Sequence, residues 1–247
     1  AYFSNKNKLM YKIILIFCLI SSHQLFAQIN LLKEVSEKAN ALVKGDDPLS
    51  EDQVKKGLVE ALIKGSEKSV QSASKKDGFN LNKSIKIPFP EDAKKMKSTL
   101  VKMGFSDQVI KFEKSINNAA ELASKEALPI FVNAVKSMTI NDAFSILNGD
   151  DNSATVYLKD QTSSSLYTKF KPIISNAISK VDVTKYWSDL TSAYNKVPFV
   201  KPINTDLDDY ITKGAMYGLF FLIEQEEKNI RNNPTARTTE ILKKVFK

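Results

Sequence analysis

The sequence is almost empty of the two side chains on which much protein chemistry rests. It holds one histidine, His23, and one cysteine, Cys18, in 247 residues. Both fall in a stretch that reads as an export signal, so the chain from residue 28 onward has neither. That excludes structural zinc sites built from cysteine and histidine. It also excludes Ser-His-Asp and Cys-His catalytic groups, which need an imidazole, attachment of c-type haem and any disulfide within the exported part. Glycine is scarce as well, at eight residues, with no phosphate-cradling loop among them. No apolar run approaches the roughly 20 residues of a membrane-spanning helix. Arginine is rarest relative to expectation: the 36 basic residues include only Arg231 and Arg237, and all the others are lysine.

What survives these absences is acid and base chemistry by carboxylates, lysine or tyrosine, or an oxygen-ligand site for a hard cation. Neither has a recognisable motif. Asp150, Asp151 and Asn152 open like a calcium loop, but the twelfth position is Gln161, where a bidentate glutamate is needed. The run reads as a turn. No cofactor and no metal are expected.

Met10 begins a short export signal: basic Lys12, the apolar run Ile13–Ile20, polar Ser21–Gln24, then Leu25, Phe26 and Ala27 before Gln28. Residues 1–9 are expected to precede the translated chain and residues 10–27 to be removed. Residues 28–247 are expected to form a single helical domain. Leu25 is larger than the small residue usual two positions before cleavage, so a retained N-terminal anchor is the alternative. Removal takes away Lys6, Lys8 and Lys12 and no acid, leaving a net charge of +5. That modest, interspersed charge argues against nucleic acid as a partner.

Apolar residues recur at helical spacing in nearly every long segment. The fold class expected is all-α, a bundle of about eight to ten helices with two proline-containing extended loops and no transmembrane span after residue 27. A first helix runs through Leu31, Val35, Ala39 and Leu42. A second begins at Ser50, with Gln53 completing a capping box. The long loop Gly78–Pro90 follows, in which Ile85, Ile87 and Phe89 alternate as if packed along one side of the bundle. Ser106 is expected to cap a helix that Pro129 kinks or splits. Thr139 caps a short helix closed by Asn148 and Gly149 in the position glycine favours. The helical region from Ser153 to about Val181 should be interrupted at Pro172, and Val197–Pro202 forms the second proline loop. From Asp206 to Arg231 the chain reads as one helix, apolar all round in its middle, where Gly214 and Gly218 admit a close neighbour.

Three segments together are similar to a known family: Met138–Gly149, Ile85–Pro90 and Arg231–Phe246. They resemble a bacterial family described only as a domain of unknown function, number 4197, over residues 49–246. The resemblance implies a helical, exported or envelope-associated protein and carries no activity, cofactor or catalytic residue.

The candidate binding residues are Arg231, Arg237, Asp142, Tyr157 and Lys169. A guanidinium pairs bidentately with carboxylate or phosphate, which an ammonium cannot do. The competing structural role ties each arginine to a carboxylate of the bundle such as Asp142, Glu113 or Glu121. Asp142 suits the first turn of its helix. Tyr157, Tyr167 and Lys169 are candidates to converge on it. Glu113, Asn117 and Glu121, four apart, read as a solvated face. Glu224, Glu226 and Glu227 lack the histidines of a di-iron bundle.

The function expected is that of a non-catalytic binding or interaction protein of the periplasm, its partner an envelope protein, a lipid or a small anion. The alternatives are an enzyme of carboxylate, lysine or tyrosine chemistry, and a carrier of an apolar ligand in a cavity lined by Trp187, Met216, Phe220 and Phe221. N-terminal sequencing of the exported protein is expected to start at Gln28; a start at Met10 would show that the signal is retained.

Overall fold

The computed structural model of the protein describes residues 49–180, 182–201, 203 and 205–246. The expected signal and the expected helix through Leu31–Leu42 lie outside the described residues. Among the described residues there are nine α-helices and no strand, so the fold is all-α as the periodicity predicts. The helices are α1 (Glu51–Ser74), α2 (Lys94–Lys102), α3 (Ser106–Ser124), α4 (Ala127–Lys136), α5 (Ile140–Leu147), α6 (Ser153–Lys180), α7 (Val183–Asn195), α8 (Leu207–Asn232) and α9 (Glu240–Val245). None of them is long and apolar enough to cross a membrane.

Local chemistry places most of the boundaries. The first N–H groups of a helix have no partner within it, and side chains supply one at four starts: Ser50 with Gln53, Thr139 with Asp142, Asp206, and Thr239. Ser106 proves to be the first helical residue rather than the cap; Phe105 stands before it without a side-chain bond. The split expected near Pro129 falls at Lys125–Glu126, which leaves Pro129 third in α4, where its missing N–H costs nothing. Pro172 does not interrupt its helix. α6 continues through it to Lys180 with Leu158, Leu166, Phe170 and Ile174 all buried, and that packing outweighs the roughly 3 kcal/mol a helical proline costs. Gly149 is not a left-handed cap either, since it is absent from the positive-φ glycines. It is small because a Cβ there would meet the Ser153 Oγ at 2.2 Å and the Ser145 carbonyl at 2.9 Å.

At the centre is α8, packed by α6, α1 and α3. α4 lies against α1 and α6, α7 against α2 and α3, and α9 folds back on α1 with Ile241 and Leu242 buried. The centre of α8 is not apolar all round. Tyr217 is exposed and stacks on Phe221 with ring centroids 6.3 Å apart, so the helix keeps one wet edge.

Gly214 and Gly218 do admit a close neighbour, but it is the extended segment Gly78–Pro90 rather than a helix. A Cβ on Gly214 would come within 2.8 Å of the Ile87 side chain, and one on Gly218 within 2.5 Å of the Phe79 ring. Phe79, Ile85, Ile87 and Phe89 are all buried, each worth roughly 1.5–3 kcal/mol relative to exposure. This strap is therefore part of the core. Its backbone finds partners on α3. Asn117 accepts from the Ile87 N–H and donates to the Ile87 carbonyl, both at 2.9 Å, as a neighbouring strand would. Glu121 accepts from the N–H groups of Asp77, Phe79 and Asn80 at 3.1, 3.1 and 3.4 Å. Burial pushes the Glu121 carboxyl up from its ordinary range, against those three bonds. Asn117 and Glu121 are thus not a solvated face: both are buried, because an extended chain laid on helices has no ladder of its own. Beyond them, Phe89 packs on Phe112 and Trp187 at 5.1 and 5.7 Å. The Tyr210 hydroxyl donates to the Pro88 carbonyl at 3.1 Å; its pKa is pushed up to about 12 by burial and the nearby acids Glu91, Asp92 and Glu113.

Two glycine substitutions on buried helices should differ in sign. Gly218→Ala sets a methyl against the Phe79 ring and is expected to lose about 1–3 kcal/mol. Gly65→Ala meets nothing closer than the Glu226 Cβ at 3.7 Å and should gain about 0.5–1 kcal/mol from helix preference. Urea unfolding measures both; equal effects would contradict the seat of the strap on α8.

Candidate functional site

The two arginines lie where four helix ends meet. α5 closes at Leu147 and α6 opens at Ser153, leaving the carbonyls of one and the N–H groups of the other without partners in their own helices. Glu227 of α8 meets the second set. Its Oε1 accepts from the Ala154 N–H at 2.9 Å, and its Oε2 from the Thr155 N–H and hydroxyl, both at 2.8 Å. One turn further along α8, Arg231 meets the first set. Its Nη2 donates to the Ile146 carbonyl at 2.7 Å and its Nη1 to the Leu147 carbonyl at 3.4 Å. Its Nε donates to Glu227 Oε1 at 3.0 Å. The carboxylate thus sits at the positive end of α6 and the guanidinium at the negative end of α5. Their side chains are only 6% and 11% exposed, and the Phe246 ring lies 5.9 Å from the guanidinium carbon.

Arg237 closes α8 itself. Its Nε donates to the Ile230 carbonyl at 3.0 Å and its Nη2 to the Arg231 carbonyl at 2.7 Å. The structural role expected for the arginines holds, with different partners. None of Asp142, Glu113 and Glu121 pairs with an arginine in the contacts they make: Glu113 takes Lys97 at 2.5 Å, Glu121 takes the strap, and Asp142 takes Thr139. Asp142 accepts from the Thr139 N–H at 2.8 Å and from its hydroxyl at 2.7 Å. Those bonds, the backbone one first, hold its carboxyl below the usual range.

Tyr157 is half-buried on α6 near Asp142 and Ser137; burial and then the Asp142 charge push its hydroxyl up. Lys169 does not join them. It is exposed and lies twelve residues along the same helix, about 18 Å away at 1.5 Å per residue. Tyr167 turns to another element, donating to Asp209 of α8 at 2.9 Å, where Lys213 and this hydroxyl keep the Asp209 carboxyl low. Of the five candidate residues, then, Arg231 and Arg237 share one corner, Asp142 and Tyr157 another, and Lys169 stands apart.

The space at the arginine corner is small. A cavity of about 20 Å³ lies between Leu62, Ile223, Glu227, Ile230, Arg231 and Phe246, room for about one water molecule. A wider open depression of about 420 Å³ sits at the α6–α7 junction beside Ile178, Asp182, Lys185 and Ser188, away from every candidate residue. Neither includes the aromatic residues considered for an apolar ligand. Phe220 packs edge-on against Phe131 at 5.8 Å, and Trp187 packs on Phe112 at 5.0 Å. Among the described residues no three of histidine, cysteine, aspartate and glutamate are grouped to hold a metal.

Sequence reasoning considered Glu227 only as a metal ligand and missed that it and Glu60 are buried. Glu227 stands four residues after Ile223 and three before Ile230, inside the buried stripe of α8, and a charge within an apolar stripe was the available signal. Glu60 is equally hidden on α1, 1% exposed, its Oε1 paired with Lys64 at 2.7 Å. Lys64 also donates to the Thr238 hydroxyl at 3.3 Å.

A family model described as protein of unknown function (DUF4197) matches residues 48–247. No curated protein and no solved structure matches the chain.

Arg231→Lys keeps the charge and loses the fork, and is expected to destabilise by about 1–3 kcal/mol by removing the guanidinium's bonds to the α5 carbonyls; Arg237→Lys should act in the same direction at the end of α8. Glu227→Gln breaks a buried pair and should cost about 3–5 kcal/mol. Chemical denaturation checks all three, and an unchanged midpoint for Arg231→Lys would remove the guanidinium from the account of stability.

Proposed function

We propose that this chain, which belongs to the DUF4197 family, works as a non-catalytic binding or interaction protein of the bacterial cell envelope. The observation that carries this reading is how its most reactive charges are used. Arg231, Glu227 and Arg237 are each turned onto backbone groups or one another inside the chain, and Asp142 onto its own helix cap. A general acid or base must come within hydrogen-bond reach of a substrate, and an anion-binding guanidinium needs donors left to offer. At this corner Arg231 Nε, Nη1 and Nη2 and Arg237 Nε and Nη2 already face carbonyls and a carboxylate, beside space for one water. Placement in the periplasm rests on the signal-like order of Met10–Ala27. An internal apolar ligand is less favoured, because Trp187 and Phe220, which would line its cavity, pack on Phe112 and Phe131.

Thermal unfolding in rising inorganic phosphate tests the central point. No saturable rise in melting temperature is expected. An anion site filled at a hundred times its Kd would add about 2.7 kcal/mol. Such a rise, abolished by Arg231→Lys in a variant that still folds, would overturn this reading and make the corner a ligand site.

A further inference from the structure

The hairpin of α2 and α3 ends in a tip that is apolar where it meets solvent. Leu100 and Val109 point inward and are buried, whereas Val101, Met103 and Ile110 are 43%, 47% and 62% exposed. The turn between them is tightly closed. The Gly104 N–H donates to the Val101 carbonyl at 3.1 Å and the Phe105 N–H to the Leu100 carbonyl at 2.9 Å, with Gly104 at φ 90°, the pattern of a Schellman cap. Nothing lies within 4 Å of where a Gly104 Cβ would stand, so the turn projects freely. Just behind it Lys97 of α2 pairs with Glu113 of α3. Val101 follows Lys97 by four residues and Ile110 precedes Glu113 by three, so both extend the same side of the hairpin toward its tip.

Basic charge predominates around these side chains. Residues 94–114 hold six lysines against two acids, Asp107 and Glu113, and Glu113 is already engaged by Lys97. Lys102, Lys111 and Lys114 are exposed beside the apolar residues.

We propose that this tip docks on an anionic lipid surface, with Val101, Met103 and Ile110 entering the headgroup boundary and Lys102, Lys111 and Lys114 meeting lipid phosphates. The chemistry favours lipid over a protein partner. The apolar side chains stand on a convex turn, not in a groove that would seat a partner's side chain. The cations are lysines on flexible stems, which snorkel to a charged plane, rather than guanidinium forks suited to a fixed carboxylate. Neither part suffices alone: reversible membrane binding takes an apolar insertion together with a basic patch. Which membrane is met rests on the envelope placement proposed above; affinity for lipid does not.

Co-sedimentation of the full chain with vesicles tests it, using phosphatidylglycerol mixed with phosphatidylcholine against phosphatidylcholine alone. Binding is expected on the anionic vesicles only and should weaken with added salt. Each lysine near such a surface is worth about fivefold in partitioning, so the charge-reversing triple variant K102E/K111E/K114E should lose at least about a hundredfold. Met103→Asp with Ile110→Asp should lose about tenfold or more. Leu81→Asp, at an exposed apolar residue on the strap, should bind as the parent does. Melting curves should fall only slightly, by the cost of placing acids at the C-terminus of α2, since the substituted residues are exposed. Absence of binding to anionic vesicles would overturn the proposal. So would equal binding to neutral vesicles or full binding by the tip variants, either of which would assign the affinity to another part of the chain, the apolar run Ile13–Ile20 included. Self-association abolished by Met103→Asp with Ile110→Asp, without lipid binding, would overturn it in favour of a second copy. Failure of the envelope reading shows separately, as recovery of the chain in the cytoplasmic rather than the envelope fraction of its cells.

Discussion

A helix end hidden from water must find partners for its last backbone groups, and the Glu227–Arg231 pair solves that problem twice. Taking a carboxylate and a guanidinium out of water is expensive, and their mutual attraction repays it only when further hydrogen bonds satisfy both. Here the N–H groups of α6 and the carbonyls of α5 supply those bonds. Each ion also lies at the helix end whose dipole suits it. The pair therefore holds the α5–α6 corner on α8, and α8 is the helix on which the rest of the bundle is assembled. Arg237 closes the C-terminus of that same helix.

The strap meets the same constraint with other means. An extended strap cannot satisfy its own backbone, so α3 presents a side-chain amide and a carboxylate as substitutes for a neighbouring strand. α8 gives up two Cβ atoms to bring the strap close. A helical glycine costs up to about 1 kcal/mol relative to alanine, less than the burial of Phe79 and Ile87 returns. Strap, α3 and α8 thus form one interlocked unit, with Tyr210 and Trp187 pinning its far end.

The division between the two kinds of cation follows from their shapes. Both arginines face inward onto carbonyls, where a planar fork can reach several acceptors at once. Lysines such as Lys102, Lys111 and Lys114 remain at the surface, where a hydrated point charge on a flexible stem loses little. The reading of the protein as an envelope interaction module, with a lipid-facing tip on α2–α3, rests on that separation: fixed charge inside for architecture, mobile charge outside for partners.

Helix count and class were legible because a 3.6-residue apolar period and a cap are local properties. Ser50 with Gln53, Thr139 with Asp142, and the burial of Ile85, Ile87 and Phe89 could all be read along the chain. The rarity of arginine marked Arg231 and Arg237 as residues where a guanidinium matters, for binding or for structure, but did not give their partners. Glu227 stands one turn before Arg231 on the same helix, but the N–H groups of α6 and the carbonyls of α5 reach this pair only after α5, α6 and α8 pack, from positions 73 and 85 residues distant. Asn117 and Glu121 misled for the same reason: a polar stripe at spacing four looks identical whether it faces water or the backbone of a strap laid across it. Sequence by itself determined the helical class, the capped starts at Ser50 and Thr139, and which chemistries are closed to a chain without histidine or cysteine after residue 27. Tertiary structure alone decided which polar groups lose their water, and hence which charges are structural and which are left to face a partner, because desolvation depends on neighbours that no local pattern specifies.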